Sequence, residues 1–233
     1  AHERYDFYRS PRQMAMGGAS IGVVNDQTAL IHNPAGLGRL RDVYLTLADP
    51  VLAIGDQDST IAGGPTLIPN MMDMQPALDQ LKVNPGERMH ILAEVFPSIV
   101  FPNFGIGVLG KYSLDAVVDK EVTKFQFDTT TDYAVVTGFN FRIWDGIIKF
   151  GGNARVINRS QIEEDNLDPL ATALSADDYV TEGIGVASDV GLILTAPILY
   201  LPSIAGVVRD VGGTAYTVRK GLLKDTTNFP GRT

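Results

Sequence analysis

The feature that most constrains this chain is a period of two sustained over long stretches. In residues 147–159, Ile148, Phe150, Gly152, Ala154 and Val156 fall on one side and Lys149, Asn153, Arg155 and Arg159 on the other. In 131–143, Tyr133, Val135, Thr137, Phe139 and Phe141 oppose Asp132, Gly138, Asn140 and Arg142. In 181–196, Ile184, Val186, Val190, Leu192 and Leu194 oppose Gly185, Asp189, Gly191 and Thr195. Strands place alternate side chains on opposite faces, so this pattern specifies an all-β chain whose sheet has one apolar and one polar face.

Further candidate strands at 42–49, 90–101, 104–115 and 202–211 bring the total to seven. Most exceed the ~5–6 residues usual in soluble sheets and match the ~9–11 residues of a tilted membrane strand. Their connections alternate: 102–103, 144–146 and 197–201 are tight, while 50–89, 116–130 and 160–180 are long. A transmembrane antiparallel up-and-down barrel sorts its connections in this way, with short turns at one end and extended extracellular loops at the other. Phe101, Phe104, Phe141, Trp144, Phe150 and Tyr200 gather near the short turns, as an interfacial girdle does. Read as a barrel, the apolar side meets lipid and Lys111, Arg142, Lys149, Arg155, Asp189 and Arg209 face the lumen. The opposite assignment, polar side to water and apolar side to a soluble core, fits the parity equally well.

Residues 10–40 have a different character. Gly17, Gly18 and neighbouring small residues lead to Asn25-Asp26, a short apolar turn, and then Asn33-Pro34-Ala35-Gly36. This is turn chemistry, compact and repeatedly bent. The expected division is an N-terminal hatch, 1–41, inside the lumen of a barrel formed by 42–233, with Gly17, Gly18, Asp26, Asn33, Pro34, Ala35 and Gly36 as its characteristic residues. The competing reading is a surface loop leading into a soluble β domain.

Composition excludes several function classes. A net charge of −8 and a pI near 4.8, with no basic run, argue against nucleic acid as a partner. The absence of cysteine excludes disulfides and thiolate chemistry. No apolar run reaches the ~18 residues of a spanning helix. Ala1-His2-Glu3-Arg4 is polar from the start and suits a mature end left by cleavage. Residues 70–83 place Met71, Met74, Leu78 and Leu81 at helical spacing, and a second short helix is expected over 167–175.

No catalytic group is nominated, and neither a metal nor a cofactor is expected. Gly105-Ile106-Gly107-Val108-Leu109-Gly110 matches a dinucleotide fingerprint, but the residues after it continue in strand parity where that motif needs a helix. His2, His32 and His90 lack ligand spacing, and no serine and histidine can be paired. The acidic clusters Glu163-Glu164-Asp165 and Asp177-Asp178 could supply oxygen ligands to calcium but read first as solvated loop charge.

Met16-Gly17-Gly18-Ala19, Asn25-Asp26-Gln27-Thr28-Ala29 and Asn33-Pro34-Ala35-Gly36-Leu37, with the later Ala205-Gly206-Val207-Val208-Arg209-Asp210-Val211-Gly212-Gly213-Thr214, carry a family resemblance. The chain resembles the FadL-like outer-membrane family, which includes long-chain fatty acid transporters and PorV-type barrels. The resemblance implies a 14-stranded barrel in the Gram-negative outer membrane, of which this chain supplies part, with either the chain continuing beyond Thr233 or the barrel completed by something else. It also implies contact with membrane lipids and lipopolysaccharide, and passage of fatty-acid-like hydrophobic molecules sideways through a kinked wall. Pro97, which removes a ladder donor, and Gly105, Gly107 and Gly110 are the candidate gate residues; the alternative is that the glycines fit tight barrel packing and Pro97 marks an ordinary bulge. The PorV-type branch implies instead a docking or structural subunit with protein partners in an envelope complex. Neither branch implies an enzyme.

Overall fold

The computed structural model describes residues 7–56, 74–82, 85–86, 88–168, 179–214 and 216–217. The chain is mostly antiparallel β-sheet with few helices. Its strands are β1 (Tyr44–Thr46), β2 (Val51–Asp56), β3 (Arg88–Val95), β4 (Ser98–Phe101), β5 (Phe104–Val118), β6 (Phe125–Ile143), β7 (Ile148–Leu167), β8 (Thr181–Thr195), β9 (Ser203–Val208) and β10 (Tyr216–Thr217). The helices are α1 (Pro11–Ala15), α2 (Ala29–His32), a 3-10 helix at Pro34–Arg39, α3 (Met74–Leu81) and a 3-10 turn at Trp144–Gly146.

With β1/β2, β3/β4 and β9/β10 each taken as one position, every position pairs with its neighbour in sequence, giving a meander. Three of its positions are thus split. β3 and β4 both lie against β5, with Val95 opposite Gly110 and Ser98 opposite Gly107, so the register holds across Phe96-Pro97. The Val108 amide donates to the Pro97 carbonyl at 2.9 Å. On the other side, Thr46 pairs with Ser98 and Val51 with Glu94, so residues 47–50 are set against the shorter 95–97. That surplus residue is a bulge-like break, and it separates β1 from β2. β9 and β10 both pair with β8 and are separated by a turn that Asp210 closes by accepting from the Thr214 amide at 3.0 Å. Among the described residues, nothing pairs with the outer edges of β1/β2 or β9/β10, and the sheet is not closed.

Several strands run further than their sequence suggests. The expected long connection 116–130 shrinks to 119–124, because β5 continues to Val118 and β6 begins at Phe125. Of the expected loop 160–180, residues through Leu167 belong to β7, and 50–89 contains β2 and α3. The six-residue connection 119–124 is no longer than the one between β8 and β9, so the clean sorting of short and long connections is not observed. Asp128-Thr129-Thr130-Thr131 and Ser160-Gln161 imitate loop composition, yet Phe125, Phe127, Ile162 and Leu167 beyond them resume the alternation and are buried. The predicted helix over 70–83 is observed as α3, while most of that over 167–175, and Asp177-Asp178, lie outside the described residues.

These extensions give one apolar face two environments. In its upper half, away from the short turns, Met89, Ile91, Leu114, Ala116, Val118, Phe125, Phe127 and Ile162 pack with Ala77, Leu78 and Leu81 of α3. In its lower half the same face is bare: Leu45, Phe104, Ile106, Val108, Tyr133, Val135, Phe139, Phe141, Val156, Val186, Leu192, Ile204 and Val208 are all exposed. The opposite face is polar, and its lower half is covered by the N-terminal segment.

Candidate functional site

Local chemistry shapes that segment before it docks. The Ser10 hydroxyl caps α1 by accepting from the Gln13 amide at 3.1 Å, with Pro11 at the first helical position. Gly17 and Gly18 follow at φ of 61° and 85°, values that favour glycine, in open space. Asp26 accepts from the Thr28 amide at 3.0 Å and from the Thr28 hydroxyl, and meets Arg12 at 2.6 Å. Asn33 caps the 3-10 helix by accepting from the Ala35 amide at 3.1 Å, while its own amide group donates to the Ile21 carbonyl at 3.0 Å.

The 3-10 helix then lies on a floor of glycines. A Cβ at Gly151 would stand 2.5 Å from the Pro34 carbonyl oxygen and closer still to the Pro34 carbonyl carbon and Ala35 nitrogen. One at Gly191 would collide with the Asn33 side chain, and one at Gly138 would lie 2.7 Å from Leu30. β6, β7 and β8 thus present glycine where the segment arrives, against its backbone at Gly151 and its side chains at Gly138 and Gly191. Asn140 donates to the Ala35 carbonyl at 3.2 Å and Asn153 to the Leu30 carbonyl at 2.8 Å. Leu30, Leu37, Val24 and Tyr8 join Phe96, Val100, Leu109, Val136 and Ile157 in one buried cluster. Each fully buried Leu or Phe contributes about 1.5–3 kcal/mol.

Above this floor runs a row of paired charges. Lys111 meets Glu94 at 3.3 Å, Arg159 meets Asp132 at 2.7 Å, and Arg155 meets the wholly buried Asp189 at 2.8 Å. The N-terminal residues touch this row directly. The Arg9 amide donates to Glu94 at 3.1 Å, and Arg155 lies 4.8 Å from the centroid of the Phe7 ring. Tyr8 donates to Asp49, in the break between β1 and β2, at 2.8 Å, and its ring stacks on His32. Burial, followed by that bond to Asp49, pushes the Tyr8 hydroxyl well above its ordinary range. Removing one partner of a buried ion pair such as Arg155–Asp189 typically costs about 3–5 kcal/mol.

The structure therefore brings Asn33, Pro34 and Ala35 onto Gly151, Gly191 and Asn140, sets Lys111, Arg155 and Asp189 in the charge row that Phe7 and Arg9 touch, and leaves Gly17, Gly18 and Asp26 at the segment's outer margin. Arg142 and Lys149 stand apart from the paired row, at the short-turn end, and Arg209 is exposed just past β9. Gly105 and Gly107 make room for Leu30 and Phe96, and Gly110 lies beside Val95. β5 runs unbroken through all three, and the interruption falls instead at 96–97 and 47–50. Glu94 and the floor glycines Gly138, Gly151 and Gly191 were not singled out as site residues by sequence. Their signal was parity: each shares a face with Asp132, Asn140, Asn153 and Asp189. Among the described residues no His, Asp and Glu side chains group as a metal site, and no helix is long and apolar enough to cross a membrane. No family model, curated protein or solved structure matches the chain.

Proposed function

We propose that this chain forms part of the wall of an outer-membrane β-barrel, with residues 7–40 as a hatch in its lumen, and that the barrel passes hydrophobic, fatty-acid-like molecules. The observation that carries the membrane reading is the bare apolar lower face. On β6 every residue of that face from Tyr133 to Ile143 is exposed. At about 3.3 Å per residue and a tilt of about 40° this stretch projects to about 25 Å, the height of an apolar barrel belt. A soluble chain rarely leaves so continuous an apolar surface uncovered. The open edges belong with this reading, since unpaired strand edges in lipid cost several kcal/mol per group. Further strands from outside the described residues would close the wall.

Passage is supported by where the ladder fails. The break at 47–50 opposite 95–97 sits beside Tyr8 and includes Phe96, and Leu47 within it is 81% exposed. A sideways exit there would open from the hatch onto the apolar face. A docking or structural role in an envelope complex is the second reading, favoured by the continuous packing of Leu30, Leu37, Tyr8 and Phe96 against the sheet.

The two readings separate on one lock. The chain has no cysteine, and Thr46 and Ser98 are paired directly at the lower margin of the break. Oxidised T46C/S98C protein in the outer membrane of intact cells is expected to lose fatty-acid uptake and to regain it on reduction. Uptake indifferent to the lock rejects the exit at this break, and absence of the protein from the outer membrane rejects the barrel.

A further inference from the structure

Three of the cations on the polar face have a carboxylate partner: Lys111 with Glu94, Arg155 with Asp189, and Arg159 with Asp132. The short-turn end breaks that rule. Arg142 and Lys149 are directly opposed across the β6–β7 ladder, on the same face. Like charges in that position are destabilising, and among the described residues neither is paired with a carboxylate. A third cation, Arg39 at the end of the 3-10 helix, adds its charge to theirs, donating to the Gly22 carbonyl and to Ser203. Burial lowers the proton affinity of the Arg39 guanidinium.

These charges flank a cavity. Arg142 and Lys149 line a space of about 470 Å³ with Gly38, Asp145 and Gly146. The turn that shapes it is unusual, with Trp144, Asp145 and Gly146 all at positive φ. Lys149 donates to the Gly146 carbonyl and, at 3.4 Å, to Thr195, which leaves an ammonium proton over, and no hydrogen bond from Arg142 is found among the described residues. The volume exceeds what a bare phosphate needs and lies in the range of small-molecule pockets.

We propose that this cavity binds an oxyanion carried on a small organic group, a phosphate held between Arg142 and Lys149. The group could be that of a free solute or of a phospholipid head group, since the chemistry presented to the two cations is the same. An anion relieves the repulsion that the fold otherwise sustains, and Arg142 has the planar donor fork that suits it. The site does not depend on the barrel reading.

The test uses the full chain in detergent at fixed ionic strength, with melting temperature as the readout. Glycerol 3-phosphate is the soluble probe, and phosphatidylglycerol in mixed micelles, against phosphatidylcholine, is the lipid-borne one. A saturable rise in melting temperature is expected, with the half-effect concentration raised at least about tenfold by R142Q and raised less by R142K, which keeps the charge but not the fork. Without anion, R142Q should melt no lower than the parent, because it removes a repelled charge. A response to both probes names a free or lipid phosphate, and a response to phosphatidylglycerol alone names the head group. No saturable response to either, or an equal response in R142Q, overturns the proposal. So does a large loss of stability in R142Q without anion, which would make Arg142 a structural residue.

Discussion

Gly151 and Gly152 are adjacent on β7 and point to opposite faces, which makes them an internal control for the docking of the N-terminal segment. A methyl group at Gly151 meets backbone, the carbonyl of Pro34 and the nitrogen of Ala35, and backbone cannot swing aside. The segment must retreat by about 1 Å to restore ordinary contact, at the 1–3 kcal/mol typical of overpacking. That retreat also strains the Asn140 bond to the Ala35 carbonyl and loosens Leu30 and Leu37, adding about 1–2 kcal/mol. Gly151→Ala should therefore favour the undocked segment by about 3 kcal/mol, or roughly 150-fold in population. At Gly152 a methyl group is tight only against the edge of the Phe139 ring at 3.2 Å, which yields by a few tenths of an ångström, while the Asp189 carbonyl oxygen lies at an ordinary 3.7 Å. With Leu37→Cys as the sole thiol, maleimide labelling in the Gly151→Ala background should be about two orders of magnitude faster than in the parent, and nearly unchanged with Gly152→Ala. Equal rates in all three proteins would refute the claim that glycine at 151 is what admits the segment.

Two further outcomes follow from the geometry. Val135 and Val156 are cross-strand partners on the bare face, each about half exposed; Val156→Lys should cost about 2–4 kcal/mol for folding into a bilayer, whereas a water-exposed site would register less than about 0.5 kcal/mol. Tyr8 holds its proton more tightly folded than unfolded, because burial and the bond to Asp49 raise its pKa above the ordinary value of about 10. Its stabilisation is thus complete below that value and lost as pH rises beyond it, where the unfolded chain releases the proton first. Stability profiles in urea should fall more steeply above pH 10 for the parent than for Tyr8→Phe, and parallel profiles would contradict the assignment.

Much of the sheet was readable because its alternation is strong. The positions of β5 through β9 and the split between polar and apolar faces follow from residues such as Phe139, Asn140 and Phe141. The upper strands were not readable, since Thr129, Thr130, Ser160 and Gln161 carry no apolar signal. Only the packing of Phe125, Phe127 and Ile162 beneath α3 discloses that the strands continue. The proline at 97 was visible, but its effect was not. β5 keeps its register past it, and the ladder yields on the other side, at 47–50, through a surplus residue that no local composition announces. The glycine floor was hidden for a similar reason, because glycines at 138, 151 and 191 look like weak strand positions until something is seen to lie on them.

The face shared by two surroundings has a consequence for how pairing errors are rejected. A slip of one residue between β5 and β6 turns every side chain over. Above, it would lift Phe125 and Phe127 out from under α3; below, it would send Asp132 and Asn140 to the bare face and Tyr133 and Phe139 beneath the N-terminal segment. The same mistake is thus read at both ends of one continuous strand pair, by two apolar cores that share no side chains. Either end alone can veto it, so β5 and β6 proofread each other's alignment over their whole length.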